Sequence, residues 1–191
     1  MKKKQALVLV DVQRDFFPGG ALAAPGADEI IPAVNRLIAH FVGLGLPVFA
    51  TRDWHPGNHC SFREQGGPWP EHCVVHTPGA SFHPDIHIPR DAIIVSTATG
   101  PGKEAYSGFE GTNLALQLND LGVSELIVAG LATDYCVKET VLDARRNGFD
   151  VIVAEDAIRA VEAAPGDGAK ATREMKDAGA RFSGTDRIVS A

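Results

Sequence analysis

Several functional classes are excluded by what this chain does not contain. It has only three cysteines in 191 residues, and none stands in a C-x-x-C pair, so neither a disulfide framework nor a cysteine zinc cluster organises it. Reduced thiols of this kind point to the cytoplasm. Positive charge is in deficit: 18 Lys and Arg against 24 Asp and Glu leave a formal net charge of −6. That balance argues against nucleic acid or an anionic membrane as the main partner. Long apolar runs are missing as well. The start "MKKKQALVLVDVQ" imitates a signal peptide, but its apolar core, residues 6–10, is too short and ends at Asp11. No stretch approaches the length of a membrane span. Phosphate loops are absent too. The stretch "VSTATGPGKEAYSGF" (95–109) resembles a Walker loop, yet Thr97 stands at its first glycine position and Glu104 where Ser or Thr should follow Lys103. No G-x-G-x-x-G follows a strand elsewhere, so NTPase and dinucleotide readings fail together.

What the chain does contain is the pattern of a single globular domain. Hydrophobic residues make up 45% and charged residues 22%, enough to bury a sizeable core. "ALVLV" (6–10), "PVFAT" (47–51), "AIIVS" (92–96), "ELIVAG" (125–130) and "DVIVAED" (150–156) are nearly continuous aliphatic runs. Strands covered on both faces read this way. Between them, segment 28–44 repeats Ile31, Val34, Leu37, Ile38, Phe41 and Val42 at helical spacing, as do 111–121, 134–147 and, more weakly, 167–179. This alternation predicts a doubly wound α/β domain with right-handed crossovers. A final "RIVS" (187–190) adds an expected edge strand.

One segment breaks the rhythm. Residues 52–90 are rich in Gly, Pro, His and aromatics without periodicity, and a long irregular stretch inside a compact domain is usually functional. In open α/β sheets ligands bind beyond the C-terminal strand ends. Asp11, Asp53, Ser96–Thr97 and "GLATDYC" all fall there. Cys136 is placed in the first turn of the helix 134–147, with Thr133 or Asp134 as N-cap and Asn147-Gly148 as stop. There the helix dipole favours a thiolate, and free N–H groups offer an oxyanion hole. A small buried hydrophobe is the competing reading of this cysteine. Asp11 ends an apolar strand and reads either as a general base for the thiol or as a turn cap. In "TRDWHPGNHCSFREQGGPWPEHC", Asp53 and His55 project to one side of an extended segment. With His72 they make a ligand set for Zn²⁺, Fe²⁺ or Mn²⁺, with His59 as a competitor. Trp54 and Trp69, the only tryptophans, offer rings for a flat aromatic ligand or for loop packing.

Four stretches, "LVDVQRDFFPGGAL", "TRDWHPGNHCSFREQGGPWPEHCV", "KEAYSGFEGTNL" and "GLATDYCVKETVLDA", together resemble the nicotinamidase branch of the isochorismatase-like cysteine hydrolases. The likeness runs from about residue 6 to 160. It implies a three-layer α/β/α domain around a mainly parallel sheet, and hydrolysis of nicotinamide to nicotinate and ammonia, a step of NAD salvage. By the same resemblance Asp11 matches the catalytic aspartate, Cys136 the nucleophile, and Asp53, His55 and His72 the ligands of one divalent metal, zinc foremost. Phe16, Trp69 and Tyr106 match the aromatic pocket. Leu131–Ala132 matches a pair typically joined by a cis peptide, and the N–H groups of Ala132 and Cys136 match the oxyanion hole. Two positions depart from the pattern. Val75 stands where glutamine is common, and Thr97 stands where the family carries its catalytic lysine. The resemblance therefore implies a site with one catalytic residue substituted, acting on a small aromatic amide. Another small amide or an N-carbamoyl compound is the alternative substrate, and a metal-containing protein that binds nicotinamide-like ligands without useful turnover is the alternative class. Homo-oligomer or monomer is left open.

Overall fold

The structure is a computed structural model that describes residues 3–190. Six strands form one sheet: β1 (Gln5–Val10), β2 (Val48–Asp53), β3 (Ile93–Thr97), β4 (Glu125–Leu131), β5 (Asp150–Arg159) and β6 (Arg181–Ser183). Their order is β3-β2-β1-β4-β5-β6 and every pairing is parallel. The continuous apolar runs have a simple cause. On β1, Leu7 and Leu9 pack under one helical layer, whereas Ala6, Val8 and Val10 pack under the other. Successive side chains alternate in direction, so a strand covered on both faces has no polar position to alternate with.

Helix α1 (Ile31–Gly43) covers the first face with Val34, Leu37, Ile38 and Phe41, while Val42 is turned to solvent. The second face is covered by α2 (Leu114–Asp120), α3 (Lys138–Arg146) and α4 (Asp167–Asp177), through Leu114, Leu118, Val141, Ala144 and Met175. Among the described residues no helix is long and apolar enough to cross a membrane.

The expected edge strand at 187–190 is not there. That segment lies in a short helix, α5 (Thr185–Val189), and the edge strand is β6, a few residues earlier. The Asp156 carboxylate explains the switch: it accepts bonds from the Thr185 N–H (2.9 Å) and hydroxyl (2.8 Å). A donor of the helix's N-terminal end is thus satisfied, and the chain turns away from the sheet.

Candidate active site

The sheet reverses its winding between β1 and β4, and the crevice above that junction collects four strand ends. Gly130, near the end of β4, makes the junction close enough. Its φ is +120°, and a Cβ there would run into the carbonyl oxygen of Val10, so only glycine lets β4 approach β1 at this level. Immediately beyond, Asp11 turns out of its strand with φ 47°. On the β4 side the Leu131–Ala132 peptide is cis, and the chain enters a π-helical turn, Thr133–Val137, ahead of α3.

Asp11 is buried at the bottom of the crevice. The Thr51 hydroxyl donates to Asp11 Oδ1 at 2.6 Å and accepts from the Asp11 backbone N–H at 3.2 Å. Acceptor atoms of Asp11, Asp53 and Cys136 lie within 4.8 Å of one another. Burial raises the Asp11 carboxyl to about 6, against the opposing effect of the Thr51 and Cys136 donors. Burial also drives the Cys136 thiol well above the ordinary thiol range, and the charges of Asp11, Asp53 and Glu104 add to it. The turn therefore does not behave as its sequence position suggests. Cys136 sits in a π turn whose N-cap is Ala132, and its surroundings are acidic and dry, so the proton stays on sulfur. Asp134 is not a cap either; its carboxylate accepts from the N–H groups of Val161 (3.0 Å) and Glu162 (2.9 Å).

Beside this pair stands the Asp-His-His set. Asp53 Oδ2 is 3.9 Å from His55 Nε2 and 3.8 Å from His72 Nε2. The other ring nitrogens are tied to carbonyls, His55 Nδ1 to His72 O (3.0 Å) and His72 Nδ1 to Pro70 O (2.8 Å). A carbonyl only accepts, so both protons are on Nδ1 and both Nε2 lone pairs are turned toward Asp53. Burial lowers His55 to about 3 and lowers His72 in the same direction, which keeps both rings neutral. His55 Nε2 is buried without a hydrogen-bond partner. A buried orphan of this kind demands a partner, and one carboxylate with two outer-shell-oriented imidazoles is a donor set for zinc. These residues fit a divalent metal. His59 approaches the same place, stacked on His55 at 4.3 Å. Its own nitrogens are engaged, Nε2 with Lys103 O (3.1 Å) and Nδ1 with Ser61 Oγ (2.7 Å), which takes it out of competition. If the triad holds metal, His72→Ala removes a direct ligand and lowers zinc affinity by more than the roughly 100-fold that loss of an outer-shell partner costs. Competition with a zinc-chelating dye measures it.

An aromatic cleft opens over Cys136. Phe16, Trp69 and Tyr106 line it, joined by Leu22, Tyr135 and Val161. Trp69 Nε1 donates to Tyr106 OH at 3.0 Å, and the Tyr135 ring meets Trp69 edge-on at 5.0 Å. Trp54 has a different place: Arg52 lies 3.7 Å over its ring and His76 packs at its edge. It packs the loop and does not line the cleft.

Thr97 is buried at the end of β3, opposite Asp53 in the β2–β3 register. Its hydroxyl lies 3.2 Å from both Asp53 Oδ1 and Arg52 O, to either of which it can donate. Lys103 does not replace a missing cation. Its side chain is 75% exposed and pairs with Glu110 at 3.0 Å.

Sequence reasoning missed several supports. Gln13 donates to Asp53 O (2.8 Å) and Ala80 O (3.0 Å) and accepts from Asp53 N (2.8 Å), clamping the backbone of the Asp-His-His set. Its only sequence signal was a polar residue three positions past the end of an apolar strand. Thr51, Leu22, Glu104, Tyr135 and Val161 carried no signal that distinguishes them from ordinary strand or loop residues.

The isochorismatase domain family matches residues 5–187 of the chain. The nicotinamidase of Escherichia coli is 43% identical over 197 aligned positions, which cover 92% of each protein. Among solved structures, the pyrazinamidase of Pyrococcus horikoshii in complex with zinc superposes with a TM-score of 0.91 at 52% identity, covering 95% of this chain and 99% of that one. PnC1 of L. infantum in complex with nicotinate superposes with a TM-score of 0.89 at 35% identity, covering 96% and 94% respectively.

Proposed function

Since this chain belongs to the isochorismatase family, we propose that it is a nicotinamidase, a cysteine amidohydrolase that releases ammonia from nicotinamide. The observation that carries this reading is the buried Asp11–Cys136 pair at the floor of an aromatic cleft, directly beside Asp53, His55 and His72. In this reading the substrate ring packs against Phe16 and Trp69, with its carboxamide at Cys136, all of which line the same cleft.

The resting pair is a protonated thiol and a carboxylate poised near neutrality, so Asp11 is the base. It takes the Cys136 proton as Sγ attacks the carboxamide carbon, and the backbone N–H groups of Ala132 and Cys136 hold the developing oxyanion. Collapse breaks the C–N bond, and the leaving amine takes the proton back from Asp11 and departs as ammonia. A water then attacks the thioester and passes its proton to Asp11. Collapse of that second adduct expels the sulfur, which takes the proton from Asp11 to return the thiol, and the acid released ionises to nicotinate. Asp53, His55 and His72 would hold the metal, zinc being the best match to their donor set, and a bound metal would orient the pyridine nitrogen and ordered water. Gln13 keeps Asp53 in place for this.

The decisive experiment is ammonia release from nicotinamide, with and without a chelator. Turnover that falls on metal removal and returns with zinc is expected; no ammonia from the zinc-loaded protein overturns the reading. The pH profile follows from Asp11. Its carboxyl is raised to about 6 and must be ionised to act as base, so kcat/KM is present above that pH. Below it, activity falls about tenfold per pH unit. Loss of the limb near 6 in Asp11→Asn, with activity retained, would remove Asp11 from the role.

A second reading rests on Thr97. A pocket whose cysteine has no ammonium beside it among the described residues could hold nicotinamide-like ligands with little turnover. Labelling with an electrophilic pyridine separates the two, because a non-catalytic pocket labels at an ordinary thiol rate.

A further inference from the structure

Asp134 is two residues from Cys136 and takes no part in the chemistry above, yet it is buried and its carboxylate is fully committed. One oxygen accepts from the N–H of Val161 and the other from the N–H of Glu162, at 3.0 Å and 2.9 Å. Two successive N–H groups converge on one anion here because Glu162 adopts a left-handed φ of 55°, the geometry of a backbone nest. Glu162 extends the same construction. Its carboxylate accepts from Gly166 N (2.7 Å) and Gly168 N (3.0 Å), and a Cβ on Gly168 would collide with it. The segment 160–168 is thereby strapped at both ends, from the nucleophile turn to the start of α4. Within it, Val161 is the residue that lines the cleft, together with Tyr135 and Ala132.

We propose that Asp134 is a positioning residue for the substrate pocket: by gripping the Val161 and Glu162 amides it fixes the Val161 side chain as one wall of the cleft, in register with Cys136. This rests on the reading that the cleft binds the aromatic ring of the substrate. An aspartate is required because it alone of the small side chains offers two acceptors. An asparagine of the same shape turns a donor toward one of the two N–H groups and leaves it unsatisfied.

The test compares Asp134→Asn and Val161→Ala with the wild type, by steady-state kinetics on nicotinamide and by amide hydrogen exchange. Asp134→Asn should raise KM about tenfold with kcat changed less than about threefold, and the 161 and 162 amides should lose at least tenfold in protection. Val161→Ala should raise KM similarly while those amides stay protected, and the double variant should be no worse than Asp134→Asn alone. The inference is overturned if Asp134→Asn leaves KM or amide protection unchanged, if Val161→Ala leaves KM unchanged, or if the two effects on KM add in full. Should Asp134→Asn fail to fold, Asp134→Glu, which keeps two acceptors, takes its place with the same two readouts, and an unchanged KM in Val161→Ala still overturns the inference. A wild type that releases no ammonia would overturn the functional reading and the inference with it; an active wild type with any of the other failures overturns the inference alone.

Discussion

Cys136→Ala should abolish ammonia release from nicotinamide, lowering kcat by on the order of 10⁴–10⁶, the scale of losing a nucleophile that works as a unit with its base. Removing a single small sulfur from a buried position costs little in folding, so the variant should remain a competent binder. Phe16, Trp69, Tyr106 and Tyr135 still form the cleft, and Asp53, His55 and His72 are untouched. Ligand binding by titration calorimetry and zinc content therefore accompany the rate measurement. Binding retained with turnover lost assigns Cys136 to covalent chemistry. A variant that still turns over at a tenth of the wild-type rate would place the nucleophile elsewhere, with metal-activated water the first candidate. Trapping supports the distinction: an acid quench during turnover should recover nicotinoyl mass on the wild type and none on the variant.

Thr97→Lys should raise kcat/KM for nicotinamide by on the order of 10²–10³. The charges acting on the Cys136 thiol are Asp11, Asp53 and Glu104, all of one sign, and burial adds to them. An unperturbed thiol near 8.5 is already only about 3% ionised at pH 7, and this one is pushed higher. Position 97 already touches Asp53 Oδ1, and Asp53 lies within 4.8 Å of Asp11 and Cys136, so a lysine there brings an ammonium to this group. Both buried carboxylates then gain a counter-charge, which offsets the cost of burying the cation. The same ammonium favours the anion of Asp11, so the acid limb of the pH profile should move down from about 6. The gain has two parts, a larger thiolate share and better stabilisation of charge in the transition state. Thiol alkylation as a function of pH isolates the first. No gain in rate with a fully folded, zinc-loaded variant would mean that position 97 is not where this chain lacks catalytic power.

The strand ends show how far the sequence alone can be read. Asp11, Asp53, Thr97 and Cys136 were locatable because each follows a run of aliphatic residues, and in a parallel sheet every such run ends on the same side of the molecule. The helix over Ile31–Gly43 was equally legible, since one apolar face at a period of 3.6 has no other use. The segment 187–190 was not. "RIVS" has strand composition, but a remote carboxylate, Asp156, caps Thr185 and starts a helix there. Val42 fits the apolar period and faces solvent, because the period marks a stripe and not its width. Trp54 and Trp69 look alike in the sequence, yet one packs under Arg52 and the other lines the cleft.

The layered α/β architecture, the side of the sheet on which the site lies, and the residue types available to it follow from patterning along the chain. Local patterning is sufficient for these, because burial on two faces and the common polarity of parallel strands are written residue by residue. The protonation of the site and the placement of its walls arise from contacts between distant segments. Whether Cys136 keeps its proton depends on Asp11, Asp53 and Glu104 converging from three distant segments. Whether His59 is a ligand depends on the carbonyl of Lys103 reaching its free nitrogen. Whether the cleft has a third side depends on Asp134 holding a loop nearly thirty residues further along. Charge and burial act through space, and no spacing along the chain encodes them.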